Sequence, residues 1–230
     1  MEPNSLCVKN SLLFSGIQEE DLHKLCVCLS ARECSYSREE FVFHAGDPVR
    51  SVYLVLSGQL HIIDEDCWGN RSIIETLDRD VLFGEAYVFS NAETLLVSVV
   101  AAEESTVLEI NPQKLFETCA NGCLCHATLV RNTLGIVSEK IVRLTEKLGH
   151  VMRRTTREKT LSYLSLCARR AGSADFILSY SRQQLADYLC VDRSALSHEL
   201  SRLQKEGLLR YSRNRFTLLK HPDISRWLAP

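Results

Sequence analysis

Arg193, Ser194, Ser197, His198, Ser201 and Arg202 recur at helical spacing and share one face. They bring two guanidiniums, three hydroxyls and an imidazole to that face. A guanidinium forks onto guanine or phosphate, and a hydroxyl gives or takes a hydrogen bond. Ala195, Leu196, Leu200 and Leu203 fall on the opposite, apolar side. Asp192 stands where a helix cap belongs, and Gly207 where a helix stops. A helix with such a polar face at its N-terminal end is what the major groove of DNA admits. Taken alone, the pattern also fits a surface helix of some other helical domain.

The neighbouring elements weaken that second reading. Ser181 and Gln184 form a Ser-x-x-Gln capping box, and Leu185, Ala186 and Leu189 give the helix it starts one apolar stripe. Cys190-Val191 make a tight turn between the two helices. Leu208 to Leu219 reads as a hairpin turning at Arg213-Asn214-Arg215, with Asn taken as the residue tolerant of positive φ. Arg213, Arg215 and Arg182 are the phosphate candidates, and Arg193 and Ser194, then Ser197 and His198, the base candidates, with Arg202 beside them.

The runs Gln183-Gln184-Leu185-Ala186-Asp187-Tyr188-Leu189 and Asp192-Arg193-Ser194-Ala195-Leu196-Ser197 resemble the winged helix-turn-helix of the CRP/FNR transcription regulators. Two departures stand out. The turn position that usually holds Gly is Cys190, and His198 stands where the family often has Arg. The resemblance implies a homodimer reading an inverted repeat in double-stranded DNA, RNA polymerase as a partner, and an effector that controls binding.

The chain has 230 residues, 45% apolar and 24% charged, ordinary for a globular protein. No run of eighteen apolar residues exists and the N-terminus lacks a signal-peptide layout, so the expected place is the cytoplasm, with no membrane partner. The net charge of −2 hides an asymmetry: residues 151–230 carry 15 Lys+Arg against 7 Asp+Glu, and residues 1–150 carry 12 against 22. A basic C-terminal third on an acidic body is the footprint of a nucleic-acid-binding module. There is no P-loop, GxSxG or HExxH, so an enzyme is not expected.

Residues 11–31 read as one helix, on Ile17, Leu22, Leu25 and Leu29. From Tyr36 the period changes to two. Short β-rich runs fall at 41–43, 52–56, 60–63, 73–77, 95–100 and 107–110, with turns at Gly46-Asp47, Ser57-Gly58, Trp68-Gly69-Asn70 and Gly84. This predicts an antiparallel barrel or sandwich and, with the helices, an α+β chain. Gly46-Asp47, Val52 to Gly58 and Phe83-Gly84-Glu85 resemble the family's cyclic-nucleotide-binding β-roll. In its nucleotide-binding members the Glu takes the ribose hydroxyl, and an Arg-Ser pair about ten residues on neutralises the phosphate. Here that place holds Leu95-Leu96, and residues 86–100 contain no Lys or Arg. A buried phosphate without a cation is costly. Cyclic AMP is therefore not expected. The pocket of Gly84, Glu85, Leu95 and Leu96 takes something less charged or is filled by its own side chains.

Ala127, Val130, Leu134, Val137, Ile141, Leu144, Leu148 and Val151 alternate at three and four residues, an unbroken a/d seam. The alternative is a helix packed on its own β domain, but this regularity favours a dimer seam. Residues 152–158 form a joint, followed by a helix at 159–170 with Leu161, Leu164 and Leu166 inward and a short strand at 176–178. The expected organisation is a sensor-like domain at 1–120, a dimerisation helix at 121–152 and a winged helix-turn-helix at 153–230.

Ten cysteines remain. Cys119, Cys123, Cys125 and His126 lie at the start of the long helix, and Cys26, Cys28 and Cys34 near the first. Thiolates suit iron–sulfur clusters and zinc. Against a metal, Cys26 and Cys28 sit inside a helix where i and i+2 diverge, and no CxxC is present. No metal is assigned; an iron–sulfur cluster, a thiol switch or a haem stays open as the sensor, as does a sensor module acting through a protein partner.

Overall fold

The computed structural model describes residues 8, 11–48, 50–65, 68, 71–90, 94–116 and 124–219. They fall into two compact units, 1–138 and 139–230.

The first unit opens with a 3-10 turn, Leu12–Phe14, and helix α1, Glu19–Cys28. One continuous helix over 11–31 is not what forms: Gly16 takes a φ of +80°, which breaks the path between the two pieces. Strands follow as β1 (Arg32–Tyr36), β2 (Phe41–Phe43), β3 (Val52–Ser57), β4 (Leu60–Glu65), β5 (Arg71–Leu77) and β6 (Leu82–Phe83). After the single-turn helix α2 (Glu85–Val88) come β7 (Ser98–Ala101), β8 (Ser105–Ile110) and α3 (Pro112–Phe116). Two antiparallel sheets result, ordered β1-β8-β3-β6 and β2-β7-β4-β5. This is the expected antiparallel roll. The expected strand at 95–100 is shorter, because Leu95 is tied to the loop at Gly46-Asp47 through its amide and carbonyl.

Alternation along β3 divides the core. Val52, Leu54 and Leu56 join Leu108 and Ile110 under α1, the 3-10 turn, Leu115 and Leu129. Val55, between them, faces the other way with Val107, Leu60, Leu77, Phe83, Val99 and Ala101. The β3–β4 turn needs Gly58, where φ is +79° and a Cβ would sit 2.5 Å from the Glu104 carbonyl oxygen.

Helix α4 runs from Leu124 to Val151. In the first unit it buries His126, Leu129 and Thr133. Along the predicted seam, which runs beside that buried face, Ala127 is exposed, Val130 and Val137 are half-buried, and Leu134, Ile141, Leu144 and Leu148 are 55–59% exposed.

In the second unit α4 ends at Val151, and Met152 to Thr155 separate it from α5, Thr156–Ala171. The break is shorter than the expected 152–158 joint. Thr155 and Glu158 form a reciprocal capping box that starts the helix early. Leu164 is buried, while Leu161 and Leu166 are half-buried. Then come β9 (Asp175–Ile177), α6 (Arg182–Tyr188), α7 (Arg193–Lys205), β10 (Leu209–Ser212) and β11 (Arg215–Leu218), in a sheet ordered β10-β11-β9. Leu164, Leu185, Leu189, Leu196, Leu200, Leu203, Leu209 and Phe216 share one core. The last turns of α4 lie on this unit: Glu146 accepts from Arg170 Nη2 at 2.7 Å, Lys147 lies over the Tyr188 ring, and His150 Nδ1 is 2.8 Å from Ser162 Oγ. Among the described residues no helix is long and apolar enough to cross a membrane.

Candidate nucleic-acid interface

The helix pair is built as the spacing predicts. Ser181 Oγ accepts from the Gln184 amide, and Gln184 Oε1 accepts from the Ser181 amide at 2.8 Å. Cys190 makes the turn with a φ of +51°, the left-handed conformation a glycine takes without strain. Lys159 Nζ braces that turn, donating to the Leu189 and Cys190 carbonyls at 3.2 and 3.3 Å. Asp192 holds the N-cap position of α7 with extended backbone, but its carboxylate makes no capping hydrogen bond.

Leu196, Leu200 and Leu203 are fully buried under α7, with Ala195 half-buried. On the outer face Arg193, Ser194, His198, Ser201 and Arg202 are exposed and Ser197 is half-buried. Among the described residues, the side chains of Arg193, Ser194 and His198 form no ion pair or hydrogen bond. The first turn and a half of α7 therefore presents one cation, a hydroxyl and an imidazole with open valences.

Other expected contacts are committed within the fold. Arg202 Nε donates to Glu206 Oε1 at 3.1 Å, and its Nη1 is 3.6 Å from Glu199 Oε2. Arg215 forks onto Asp175, Nε to Oδ1 at 3.1 Å and Nη2 to Oδ2 at 2.5 Å, so it ties the hairpin to β9. This holds the Asp175 carboxyl below the usual range. The Arg182 guanidinium lies 5.2 Å from the Tyr211 ring centre and 5.4 Å from that of Phe216, and donates to the Arg213 carbonyl at 3.1 Å. Arg182 thus braces the hairpin from beneath. Arg213 is exposed at the tip and takes the positive φ, +51°, that the sequence assigns to Asn214.

A buried carboxylate, Glu199, escaped the sequence reading. It is 7% exposed in the apolar stripe of α7 and pairs with Arg157 of α5. The readable signal was a glutamate at the helical spacing of Leu196 and Leu203; its partner lies 42 residues away.

The cassette in the roll differs. Gly84, at φ +83°, precedes α2, and a Cβ there would meet the Ser51 carbonyl oxygen at 3.1 Å. Glu85 follows, 6% exposed. Leu95 is 2% exposed but Leu96 is 77% exposed, so the two do not line one pocket as expected. Rings pack beside Gly84: Tyr53 stacks on Phe83 at 5.2 Å, and Phe43 lies 5.9 Å from Tyr53.

Cys26 is buried and Cys28 exposed, on different sides of α1 as i and i+2 require. Burial pushes the Cys26 thiol up to about 11. Burial also raises the Cys34 thiol, which donates to Glu109 Oε2 at 3.8 Å. Cys125 is half-buried and His126 buried; Cys119 and Cys123 lie outside the described residues. Among the described residues no group of three or more His, Cys, Asp or Glu side chains could hold a metal ion.

Residues 33–121 match the model of the cyclic nucleotide-binding domain, and residues 158–226 that of the Crp-like helix-turn-helix domain. The chain is 25% identical over 199 residues to the nitrogen fixation regulation protein FixK of Azorhizobium caulinodans, covering 84% of this chain and 77% of that one. It is 29% identical over 175 residues to the transcriptional activator protein Anr of Pseudomonas aeruginosa, covering 74% and 69%. The solved structure of the c-di-GMP-responsive global regulator CLP of Xanthomonas campestris has a TM-score of 0.54 at 21% identity, covering 85% of this chain and 97% of that one.

Proposed function

We propose, for a chain that belongs to the CRP/FNR family of transcription regulators, that two copies pair along α4 and each lays α7 in a major groove of an inverted-repeat operator. Family members bind DNA as dimers. In this chain the seam is Val130, Leu134, Val137, Ile141, Leu144 and Leu148, an apolar stripe in which Leu134, Ile141, Leu144 and Leu148 are exposed and Val130 and Val137 half-buried. Dimerisation sets two recognition helices one turn of DNA apart. Arg193 and Ser194 read base edges, with Ser197 and His198 next. Arg213 contacts phosphate. Arg182, Arg202 and Arg215 act on DNA chiefly by holding the elements that do.

The observation that carries this reading is the start of α7: exposed, polar and unpaired outside, seated on buried leucines inside. The sensor-like segment is 1–120, the dimer helix 121–152 and the DNA module 153–230. The break at Met152 to Thr155 is the joint whose setting an effector biases, a population shift between competent and incompetent states. The effector is not cyclic AMP bound in the usual way, because Leu95-Leu96 replace the phosphate-binding pair. RNA polymerase is the expected protein partner at the promoter.

The test is a gel shift at two salt concentrations, comparing a duplex selected by the protein from a randomised pool with a random duplex. A preference for the selected duplex that survives the higher salt supports the reading. No shift on either duplex, with a folded dimer, would favour a sensor working through a protein partner.

A further inference from the structure

We infer that Arg157 is a positioning residue: its guanidinium clamps Glu199 of α7 and Glu206 at its C-cap, and fixes the register in which that helix meets DNA. The inference rests on the DNA-reading assignment of α7 above.

Arg157 lies in the first turn of α5, two residues past its cap. Its Nη1 donates to Glu199 Oε1 at 3.3 Å and to Glu206 Oε1 at 3.1 Å, and its Nη2 donates to Glu206 Oε2 at 2.6 Å. Glu199 and Glu206 are seven residues apart, about two helical turns, so they stand on one side of α7. Arg202 lies between them and reaches both. Two cations and two anions close into one neutral network.

The placement of Glu199 gives the network its role. It sits among Leu196, Leu200 and Leu203, which face the same core. A stripe of leucines tolerates small shifts by repacking. A buried carboxylate does not, because any shift that parts it from its cation leaves an unpaired charge out of water. A buried ion pair within an apolar contact therefore selects one register, its best-attested structural use. Register is what recognition needs, since groups that read a partner must be held to within about 0.5 Å by the residues behind them. Arg193 and Ser194 have no side-chain partner of their own among the described residues to hold them. Their placement is set from behind, by the helix that carries them.

The chemistry also requires arginine. One planar fork serves both carboxylates at once, whereas a lysine is a single charged point. Lysine at 157 keeps the charge and loses the geometry.

The test uses the full chain with Arg157→Gln and Arg157→Lys. The probes are the duplex that the wild-type protein selects from a randomised pool and a random duplex of equal length. The ratio of the two affinities should fall about tenfold in both variants, roughly the discrimination of one base contact. The salt dependence should stay that of the wild type, because no phosphate contact is lost. A lysine variant that behaves as wild type overturns the inference, since charge alone then suffices. So does an equal loss on both duplexes, which would make Arg157 a phosphate contact.

Hydrogen exchange on the same proteins separates positioning from mere stability. Protection should fall in α7 around Glu199 to Glu206 and hold in α6 and the β9–β11 sheet. A loss spread evenly over the unit overturns the inference. If Arg157→Gln does not fold, Glu206→Gln decides, removing only the two-pronged half of the clamp. An unchanged affinity ratio there overturns the inference. If the wild-type protein selects no duplex, the DNA-reading assignment fails instead, and the exchange pattern still judges the clamp.

Discussion

Two helix starts in this chain meet their surroundings in opposite ways. Helix α2 begins at Gly84 with left-handed backbone, and its first residue, Glu85, is buried beside stacked rings. Helix α7 begins at Asp192 with extended backbone, and its first residues, Arg193 and Ser194, are exposed. At α2 a Gly-Glu start inside the stretch that matches the cyclic nucleotide-binding domain model is followed by residues 86–100, which hold no Lys or Arg. At α7 both backbone and chemistry are kept, with His198 and Cys190 as local departures. A polar start inside a core must find its partners among its neighbours. A polar start on a surface can leave its side chains open, as Arg193 and Ser194 do.

The largest effect should come from neither helix. Ile141→Glu with Leu144→Glu puts like charges on the seam. Sedimentation should show monomers, and operator affinity should drop about 10²- to 10⁴-fold as two linked contacts become one. A dimer that survives this pair would show that α4 is not the seam that brings two α7 helices together.

Next, Arg193→Ala should cost about 1–3 kcal/mol of discrimination between the selected and random duplexes while leaving Tm unchanged. Glu85→Gln should do the reverse, lowering Tm with DNA preference intact. Exchanged outcomes, read by gel shift and thermal melts, would invert the two roles. Arg213→Ala should weaken binding to all duplexes alike and reduce the slope of log affinity against log salt by about 1.

Two smaller effects concern the joinery around α7. Cys190→Gly removes the strain of left-handed backbone and should raise stability by about 1 kcal/mol in urea melts. His150 is buried with Nε2 unpartnered among the described residues, and burial lowers its pKa. The folded state thus favours the neutral ring. Its contribution is complete above the ordinary histidine pKa of about 6.5 and is lost as pH falls below that value, where the unfolded chain takes up the proton first. Wild-type stability should fall between pH 7 and pH 5.5 more steeply than that of His150→Gln, measured by urea melts across that range.

The helix-turn-helix was readable because its signals are local. The capping box at Ser181, the leucine stripe and the cationic face all lie within a few turns of one another. The roll was readable wherever strands alternate strongly, as in β3. It was not readable at β1, Arg-Glu-Cys-Ser-Tyr, which has little apolar content and is held by pairing with β8, some seventy residues away. The two residues of β6 are too few to show a period. Burial of Glu199 depends on Arg157, and commitment of Arg215 depends on Asp175. Both are tertiary pairs, which one sequence does not announce. The turn at Arg213 shows the same limit, since Asn214 has the better intrinsic preference but the hairpin puts the positive φ one residue earlier.

The open stripe along α4 has a consequence for dosage. On the dimer reading, each chain keeps Leu134, Ile141, Leu144 and Leu148 wet until it meets a copy of itself. Below the dimer dissociation constant the amount of DNA-competent species then grows with the square of chain abundance. A twofold change in expression becomes about a fourfold change in operator-binding species. On that reading such a regulator responds to how much of itself the cell has made, in addition to any effector, and a promoter under its control would change state over a narrower range of expression than a monomer allows.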